Sequence, residues 1–290
     1  MPETLAGKLV VGISSRALFD LEAEDQLFRD EGRCAFVEYQ KERAREFLLR
    51  GAAFPLAKNL LALKHPSSGD SLVEVMLLSK NDPAAGLRVL RSLKQYKLPI
   101  SRVAMTGGRS PLDYVQAYEV DLFLSADARD VADALQADHA AARIYTNGLR
   151  AAPHGSPGEV RIAFDGDAVI FGDQAETVYQ TEGLESFRAH EDERADEPLP
   201  AGPFKRFLGA INGLQETFGE GGPIRTMLIT SRGADTLERP LNTLATWGVS
   251  VDEMFATNGL DKTPVLRDYL NHMTHPVDRA SECYSQEIMA

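Results

Sequence analysis

The sequence predicts an α/β protein of two tandem units, each a Rossmann-like parallel sheet with a mainly helical insertion. Short apolar runs alternate with segments of helical periodicity, a pattern that is typical of parallel strands connected by helices. The sequence also repeats itself at an offset of 151 residues. Finally, the apolar run AFDGDAVIF at 163–171 places two aspartates at the end of a predicted strand.

The repeat is clearest between the segments 42–51 and 193–202, which are identical at six of ten positions. The same offset pairs Ser79 with Thr230, and the shared register extends over about 95 residues without a gap. Coincidental matches between charged segments do not explain a register of that length. We therefore expect a duplicated unit.

In the first unit, the predicted elements alternate along the chain. Strands are predicted at 8–13, 73–78, 103–105 and 121–124, and helices at 86–96 and 111–118. A charged, mostly helical insertion follows the first strand and extends to about residue 62.

The second unit repeats this order after a stretch rich in Gly, Pro, Ser and His at 147–158, which is typical of a linker. We therefore divide the chain into an N-terminal half, 1–150, and a C-terminal half, 151–290. Strands are predicted at 160–164, 225–229 and 253–256, and helices at 237–247 and 264–270. The helical insertion at about 172–218 is expected to cap a site at the strand ends, and its charged run HEDERADE (190–197) is expected to be a solvated face.

Composition narrows the class of partner and the compartment. A net charge of -12 and a pI near 5.0 argue against general affinity for nucleic acid or anionic membranes. The two cysteines, Cys34 and Cys283, suggest neither a disulfide framework nor a zinc site, which favours a reducing cytoplasm. We find no signal peptide and no apolar stretch of the roughly 18 residues that span a bilayer. The sequence leaves the oligomeric state open.

The predicted strand ends of the second unit carry residues suited to phosphoryl chemistry. Asp165 follows the first strand and is the candidate nucleophile, while Asp167 is the candidate acid and base. Thr230 and Ser231 follow the second strand and are candidate phosphate-binding hydroxyls, and Lys262 follows the third. Ligands of such sheets gather at these strand ends, and Mg²⁺ is the cofactor that carboxylate and phosphate oxygens suit.

Each residue alone has a plainer interpretation. Asp-x-Asp also occurs at turns, in sugar-nucleotide-binding loops and in calcium loops, although the apolar residues at 168–170 exclude an EF-hand. Thr230 alone would be a strand-end hydroxyl, and Lys262 alone a solvated lysine. The ordered set, with each member after an apolar strand, favours the catalytic interpretation.

The motif order resembles the haloacid dehalogenase superfamily of phosphohydrolases. The wording is similar to the cytosolic 5′-nucleotidase type I family, the AMP-preferring enzymes and their bacterial relatives. The segments that carry the resemblance are VGISSRALFD (11–20), FVEYQKERARE (36–46), GAAFPLAKNLLAL (51–63), MTGGRSPLDYVQAY (105–118), VDLFLSADARDV (120–131), RIAFDGDAVIFGD (161–173), GPFKRFLGAI (202–211) and PIRTMLITSRG (223–233).

The resemblance implies a magnesium-dependent 5′-nucleotidase that splits nucleoside monophosphates, with AMP as the expected substrate, into nucleoside and phosphate. It implies that Asp165 is the nucleophile, that Asp167 is the acid and base, and that Asp165 and Asp167 also bind the metal. Thr230 would be the second-motif hydroxyl and Lys262 the third-motif lysine. Arg109 and Phe204 are further candidates for substrate binding.

The chain departs from this pattern at two places. The fourth motif of nucleotidases of this type resembles His-Ile-Phe-Phe-Asp-Asp. In this chain Pro276 and Val277 occupy the positions of the two aspartates, so Asp278 is the nearest candidate metal ligand. In the N-terminal half, Ser14 and Arg16 occupy the positions of the two aspartates, which predicts a degenerate copy. The alternatives are a nucleotide-binding regulatory protein without turnover and a phosphatase for another small phosphate ester.

Overall fold

The computed structural model of the protein describes residues 4–83, 86–146 and 159–271. The chain divides into two compact units, Met1–Pro153 and His154–Ala290, which we describe separately. The predicted linker at 147–158 and the fourth-motif segment with Asp278 lie outside the described residues.

The N-terminal unit alternates strands and helices. Its elements are β1 (Leu9–Ile13), α1 (Ser15–Leu18), β2 (Phe19–Asp20), α2 (Glu22–Glu42), β3 (Leu49–Arg50), α3 (Phe54–Ala62), β4 (Val73–Ser79), α4 (Leu87–Gln95), β5 (Arg102–Met105), α5 (Leu112–Ala117), β6 (Leu122–Ser125), α6 (Ala128–Gln136) and β7 (Ala141–Arg143). The parallel sheet has the order β5-β4-β1-β6-β7, and β2 pairs with β3 in an antiparallel ribbon.

Burial explains the central strands of this sheet. Every residue of β1 and β4 is buried, because a parallel strand in the middle of a sheet is covered by helices on both faces. On one face, Val10, Met76 and Phe123 pack in a single apolar cluster with Val115 of α5 and Val131 of α6. Because β1 pairs in parallel with both β4 and β6, the carboxyl ends of these three strands lie at one edge of the sheet.

The C-terminal unit repeats the first part of this arrangement. Its elements are β8 (Val160–Asp165), α7 (Gln174–Glu182), α8 (Leu184–Glu193), α9 (Lys205–Phe218), β9 (Ile224–Thr230), α10 (Glu238–Trp247), β10 (Glu253–Ala256) and α11 (Thr263–Asn271). The described strands form a parallel sheet in the order β10-β9-β8. Tyr269 of α11 packs on Met227 and Ile229 of β9, which covers one face of the sheet.

The duplication is visible in the hydrogen bonds. Three hydrogen bonds recur at the offset of 151 residues. Arg88 Nε donates to Glu46 O (3.1 Å) as Arg239 Nε donates to Glu197 O (2.9 Å), and Leu48 N donates to Ser92 Oγ (2.8 Å) as Leu199 N donates to Thr243 Oγ1 (2.9 Å). Thr106 N donates to Ser79 O as Thr257 N donates to Thr230 O, both at 2.9 Å. The helical insertions also bend at equivalent glycines, Gly32 (φ 81°) and Gly183 (φ 86°). The predicted α/β class with parallel sheets is confirmed.

Candidate active site

A tight turn at the end of β8 carries the two predicted carboxylates. The Asp165 carboxylate accepts a hydrogen bond from Gly166 N (2.8 Å), and Phe171 N closes the turn on Gly166 O (3.0 Å). A Cβ atom at Gly166 would lie 3.3 Å from Cβ of Thr230, so a larger residue would press the turn away from the end of β9. This close approach places Asp165 and Asp167 beside the ends of β8 and β9.

Lys262 binds the candidate nucleophile directly. Its Nζ atom donates to both carboxylate oxygens of Asp165, at 2.7 Å each. The Asp165 side chain is nevertheless 45% exposed, and that of Lys262 is 22% exposed. The carboxylate is therefore accessible to a ligand while a cation neutralises it.

Asp167 is held by Arg232, a residue that sequence reasoning missed. The Nε atom of Arg232 lies 3.0 Å from Asp167 Oδ2, and its second terminal nitrogen lies 2.6 Å from Oδ1, so the contact is bidentate. The other terminal nitrogen of Arg232 binds Glu191 of α8, which also accepts a hydrogen bond from Arg239 (2.8 Å). The Glu191 side chain is 1% exposed, which corrects the expectation that the run 190–197 is only a solvated face.

Arg232 and Glu191 form a buried ion pair, and each partner shifts the pKa of the other. Burial lowers the pKa of Arg232, but hydrogen bonds and charge from Asp167 and Glu191 outweigh that effect, and the pKa is raised. Burial raises the pKa of Glu191, but the two arginines more than offset it, and the pKa is lowered. Arg232 and Glu191 are therefore both charged at neutral pH.

The two predicted hydroxyl residues lie in different environments. Thr230 is buried at the end of β9, where its Oγ1 accepts a hydrogen bond from Arg232 N (3.2 Å). Ser231, the next residue, is exposed. The Thr230 hydroxyl therefore shapes the loop that carries Arg232, whereas Ser231 is accessible to a ligand.

The structure does not place Phe204 where a base could stack on it. Phe204 is 1% exposed, and its ring meets Phe207 edge to face at 6.3 Å, because it packs into the core at the start of α9. The aromatic residue that the insertion exposes is Tyr179, which meets the buried Phe187 edge to face at 6.1 Å. The Arg232 guanidinium lies 5.2 Å from the Phe187 ring, so this aromatic pair adjoins the charged network.

The other predicted substrate contact, Arg109, belongs to the N-terminal unit. It is exposed on the loop that follows β5. Its part in substrate binding stays a prediction.

The donor chemistry fits a hard divalent cation. Asp165 and Asp167 supply carboxylate oxygens at one strand edge, and Mg²⁺ commonly binds one or two carboxylates and keeps several waters. Within the described residues, no group of three or more His, Cys, Asp or Glu side chains surrounds a common point. Asp278, the predicted third carboxylate, lies outside those residues.

The parallel sheet, with Asp165, Thr230 and Lys262 at its strand ends, defines a haloacid dehalogenase-like protein. More particularly, the chain belongs to the 5′-nucleotidase family, because the sequence model of that description matches residues 1–287. It is 33% identical over 270 residues to a protein named cytosolic 5′-nucleotidase 1B from Homo sapiens. That match covers 89% of this chain and 44% of the human protein, so the chain spans less than half the length of this relative. No solved structure matches the chain.

The described helices do not meet the requirements of a membrane span. None of them combines the length and the apolar character that crossing a bilayer requires.

Proposed function

We propose that the protein is a cytoplasmic 5′-nucleotidase that hydrolyses nucleoside 5′-monophosphates, with AMP as the preferred substrate. The observation that carries this proposal is the accessible Asp165 carboxylate bound by Lys262 at the strand end. The family to which the chain belongs supports the reaction class. The name of the human relative supports both the reaction and the cytosolic location.

The first chemical step forms a phosphoryl-enzyme. A carboxylate oxygen of Asp165 attacks phosphorus, and the bond from phosphorus to the ester oxygen breaks. The departing 5′ oxygen takes a proton from the Asp167 carboxyl group, which gives the free nucleoside. Lys262 supplies positive charge beside the carboxylate and the transferring group, while Ser231 offers a hydrogen bond to a phosphoryl oxygen.

The second step hydrolyses the aspartyl phosphate. Asp167 accepts a proton from water, whose oxygen attacks phosphorus as the bond to Asp165 breaks. Phosphate leaves, and Asp165 and the proton on Asp167 are restored for the next cycle. The bidentate contact from Arg232 fixes the orientation of Asp167 for both proton transfers.

Enzymes of this class are generally metal-dependent, and we propose Mg²⁺ for this chain. Asp165 and Asp167 would hold the ion, with Asp278 as the further candidate ligand. A bound divalent cation supplies positive charge that stabilises the transferring phosphoryl group.

For the substrate base, we propose that Tyr179 is the stacking partner. Its side chain is 46% exposed on the insertion, and it adjoins the network of Phe187 and Arg232 that ends at Asp167. Tyr179→Ala is expected to raise KM for AMP by about fivefold or more, since a stacked base contributes roughly 1–3 kcal/mol. KM for ribose 5-phosphate, which has no base, is expected to stay unchanged, and an equal effect on both substrates would contradict the assignment.

The function is tested by phosphate release from nucleoside monophosphates and sugar phosphates, with and without Mg²⁺. Asp165→Asn is expected to lower kcat by at least about a thousandfold, because the nucleophile is lost. AMP binding without release in the wild type would support a regulatory protein. Faster release from sugar phosphates than from AMP would indicate a phosphatase for another ester.

A further inference from the structure

The N-terminal unit contains a cavity of about 360 Å³ at the carboxyl ends of its strands. Ser14, Lys80 and Ser125 line its base, and Leu21 and Phe28 line its side. This size lies within the usual range of small-molecule pockets. By the internal repeat, Ser14 takes the position of Asp165, so the cavity occupies the place that corresponds to the candidate active site.

The chemistry of the cavity base excludes the proposed reaction. Ser14 Oγ accepts hydrogen bonds from Ala17 N (3.2 Å) and Ala126 N (3.3 Å), which fixes a hydroxyl where the other unit has a carboxylate. Arg16 takes the position of Asp167 and binds Glu22 (2.9 Å) and Asp25 (3.0 Å). A ligand here would meet neither the nucleophile nor the acid and base, and would be bound without being cleaved.

The charges of the lining disfavour an anion. Three basic and five acidic side chains line the cavity, so acidic groups outnumber basic ones. The basic groups already have acidic partners: Lys80 lies 2.5 Å from Asp130 and 3.2 Å from Asp127, and Arg33 is bound to Asp82. A phosphate dianion would have to compete with these carboxylates. An uncharged ligand with hydroxyl groups can instead donate to Asp127, whose side chain is 38% exposed.

The side wall supplies a flat apolar surface. Phe28 of α2 is 48% exposed and meets Phe36 edge to face at 5.8 Å. This pair corresponds by the repeat to Tyr179 and Phe187, which have the same geometry at 6.1 Å. Both insertions therefore present an exposed ring supported by a buried phenylalanine, and an exposed ring of this size is suited to stack on a planar ligand.

We propose that this cavity is a second, non-hydrolytic site that binds an uncharged, hydroxyl-bearing molecule with a planar ring, of which a nucleoside is the simplest example. Phe28 stacks on the ring, and Asp127 accepts hydrogen bonds from the hydroxyl groups. The site needs no catalysis, so it stands whether or not the C-terminal unit hydrolyses nucleotides.

The test uses adenosine and the full chain, with hydrogen–deuterium exchange read by mass spectrometry to locate binding. Adenosine is expected to slow exchange in peptides from α2 with a saturating dose dependence. Phe28→Ala is expected to raise the adenosine concentration that gives half-maximal protection by about tenfold or more. Tyr179→Ala, the matched change in the other insertion, is expected to leave the α2 protection unchanged.

A companion variant, Phe28→Leu, keeps the apolar bulk of the side chain and removes only the flat ring. It should raise the adenosine concentration for half-maximal protection by about fivefold or more, while its circular dichroism spectrum remains that of the wild type. Absence of protection in α2, or equal affinity in wild type and Phe28→Leu, would overturn the proposal. Protection of α2 by inorganic phosphate or AMP at lower concentrations than adenosine would overturn its claim of an uncharged ligand.

Discussion

Removing the Arg232 guanidinium should destabilise the C-terminal unit strongly. Arg232→Met keeps most of the aliphatic stem and deletes the bonds to Asp167 and Glu191. The side chains of Arg232 and Glu191 are 2% and 1% exposed, so the Glu191 charge that remains gains little from water. Breaking a buried ion pair by removing one partner costs about 3–5 kcal/mol. We expect a loss of that size in the free energy of unfolding.

Urea unfolding followed by tryptophan fluorescence measures this loss in the C-terminal unit. Trp247 is the one tryptophan of the sequence, and its ring lies 5.8 Å from that of Phe171 within the C-terminal unit. With a urea m-value of about 2–3 kcal/mol/M, a loss of that size lowers the midpoint by roughly 1–2.5 M.

The control is an exposed ion pair of the same unit. Arg188 Nε lies 2.7 Å from Asp235 Oδ2, but these side chains are 45% and 50% exposed. Exposed pairs contribute about 0–1 kcal/mol, so Arg188→Met should barely move the midpoint. Equal midpoint shifts in Arg188→Met and Arg232→Met would refute the argument that burial of the network determines its contribution.

Three further predictions use the same Trp247 signal. The lowered pKa of Glu191 contributes stability that is present above its unfolded pKa of about 4.5 and is lost as the pH falls through the folded value. Glu191→Gln should therefore flatten the dependence of the unfolding free energy on pH in this acidic range. Gly202→Ala should destabilise the unit, because a Cβ there would lie 2.3 Å from Val169 O, whereas Gly209→Ala, with open space inside α9, should stabilise it by about 0.5–1 kcal/mol. Tyr269→Phe should leave the unfolding free energy within about 1 kcal/mol, because the buried Tyr269 hydroxyl has no hydrogen-bond partner among the described residues; a loss above 2 kcal/mol would contradict this.

Sequence patterns predicted the long apolar strands well because burial on both faces leaves a continuous signal. The predicted strand at 73–78 is observed as Val73–Ser79, and the one at 8–13 as Leu9–Ile13. They did not predict the helix Ala128–Gln136 or the strand Ala141–Arg143. These segments are rich in alanine, and a three-residue strand is too short to show a periodicity.

The same distinction holds at the candidate site. Asp165 and Lys262 could be paired from sequence, since each follows an apolar strand and parallel strands end at one edge. Glu191 could not, because it lies in a charged run and is buried only through contact with distant arginines. The repeat aligns Glu191 with Gln40, and the structure buries both side chains.

The duplication supplies an internal control for separating architecture from chemistry. Bonds that recur at the 151-residue offset, such as Arg88 to Glu46 O and Arg239 to Glu197 O, belong to the fold, because both units need them. The contact from Arg232 to Asp167 does not recur, since Asn81 and Arg16 occupy the equivalent positions. A charge pair that only one unit carries, at the carboxylate proposed for proton transfer, is not required by the shared framework. Its presence in the unit with Asp165 is the physical reason to assign Arg232 to the reaction rather than to the fold alone.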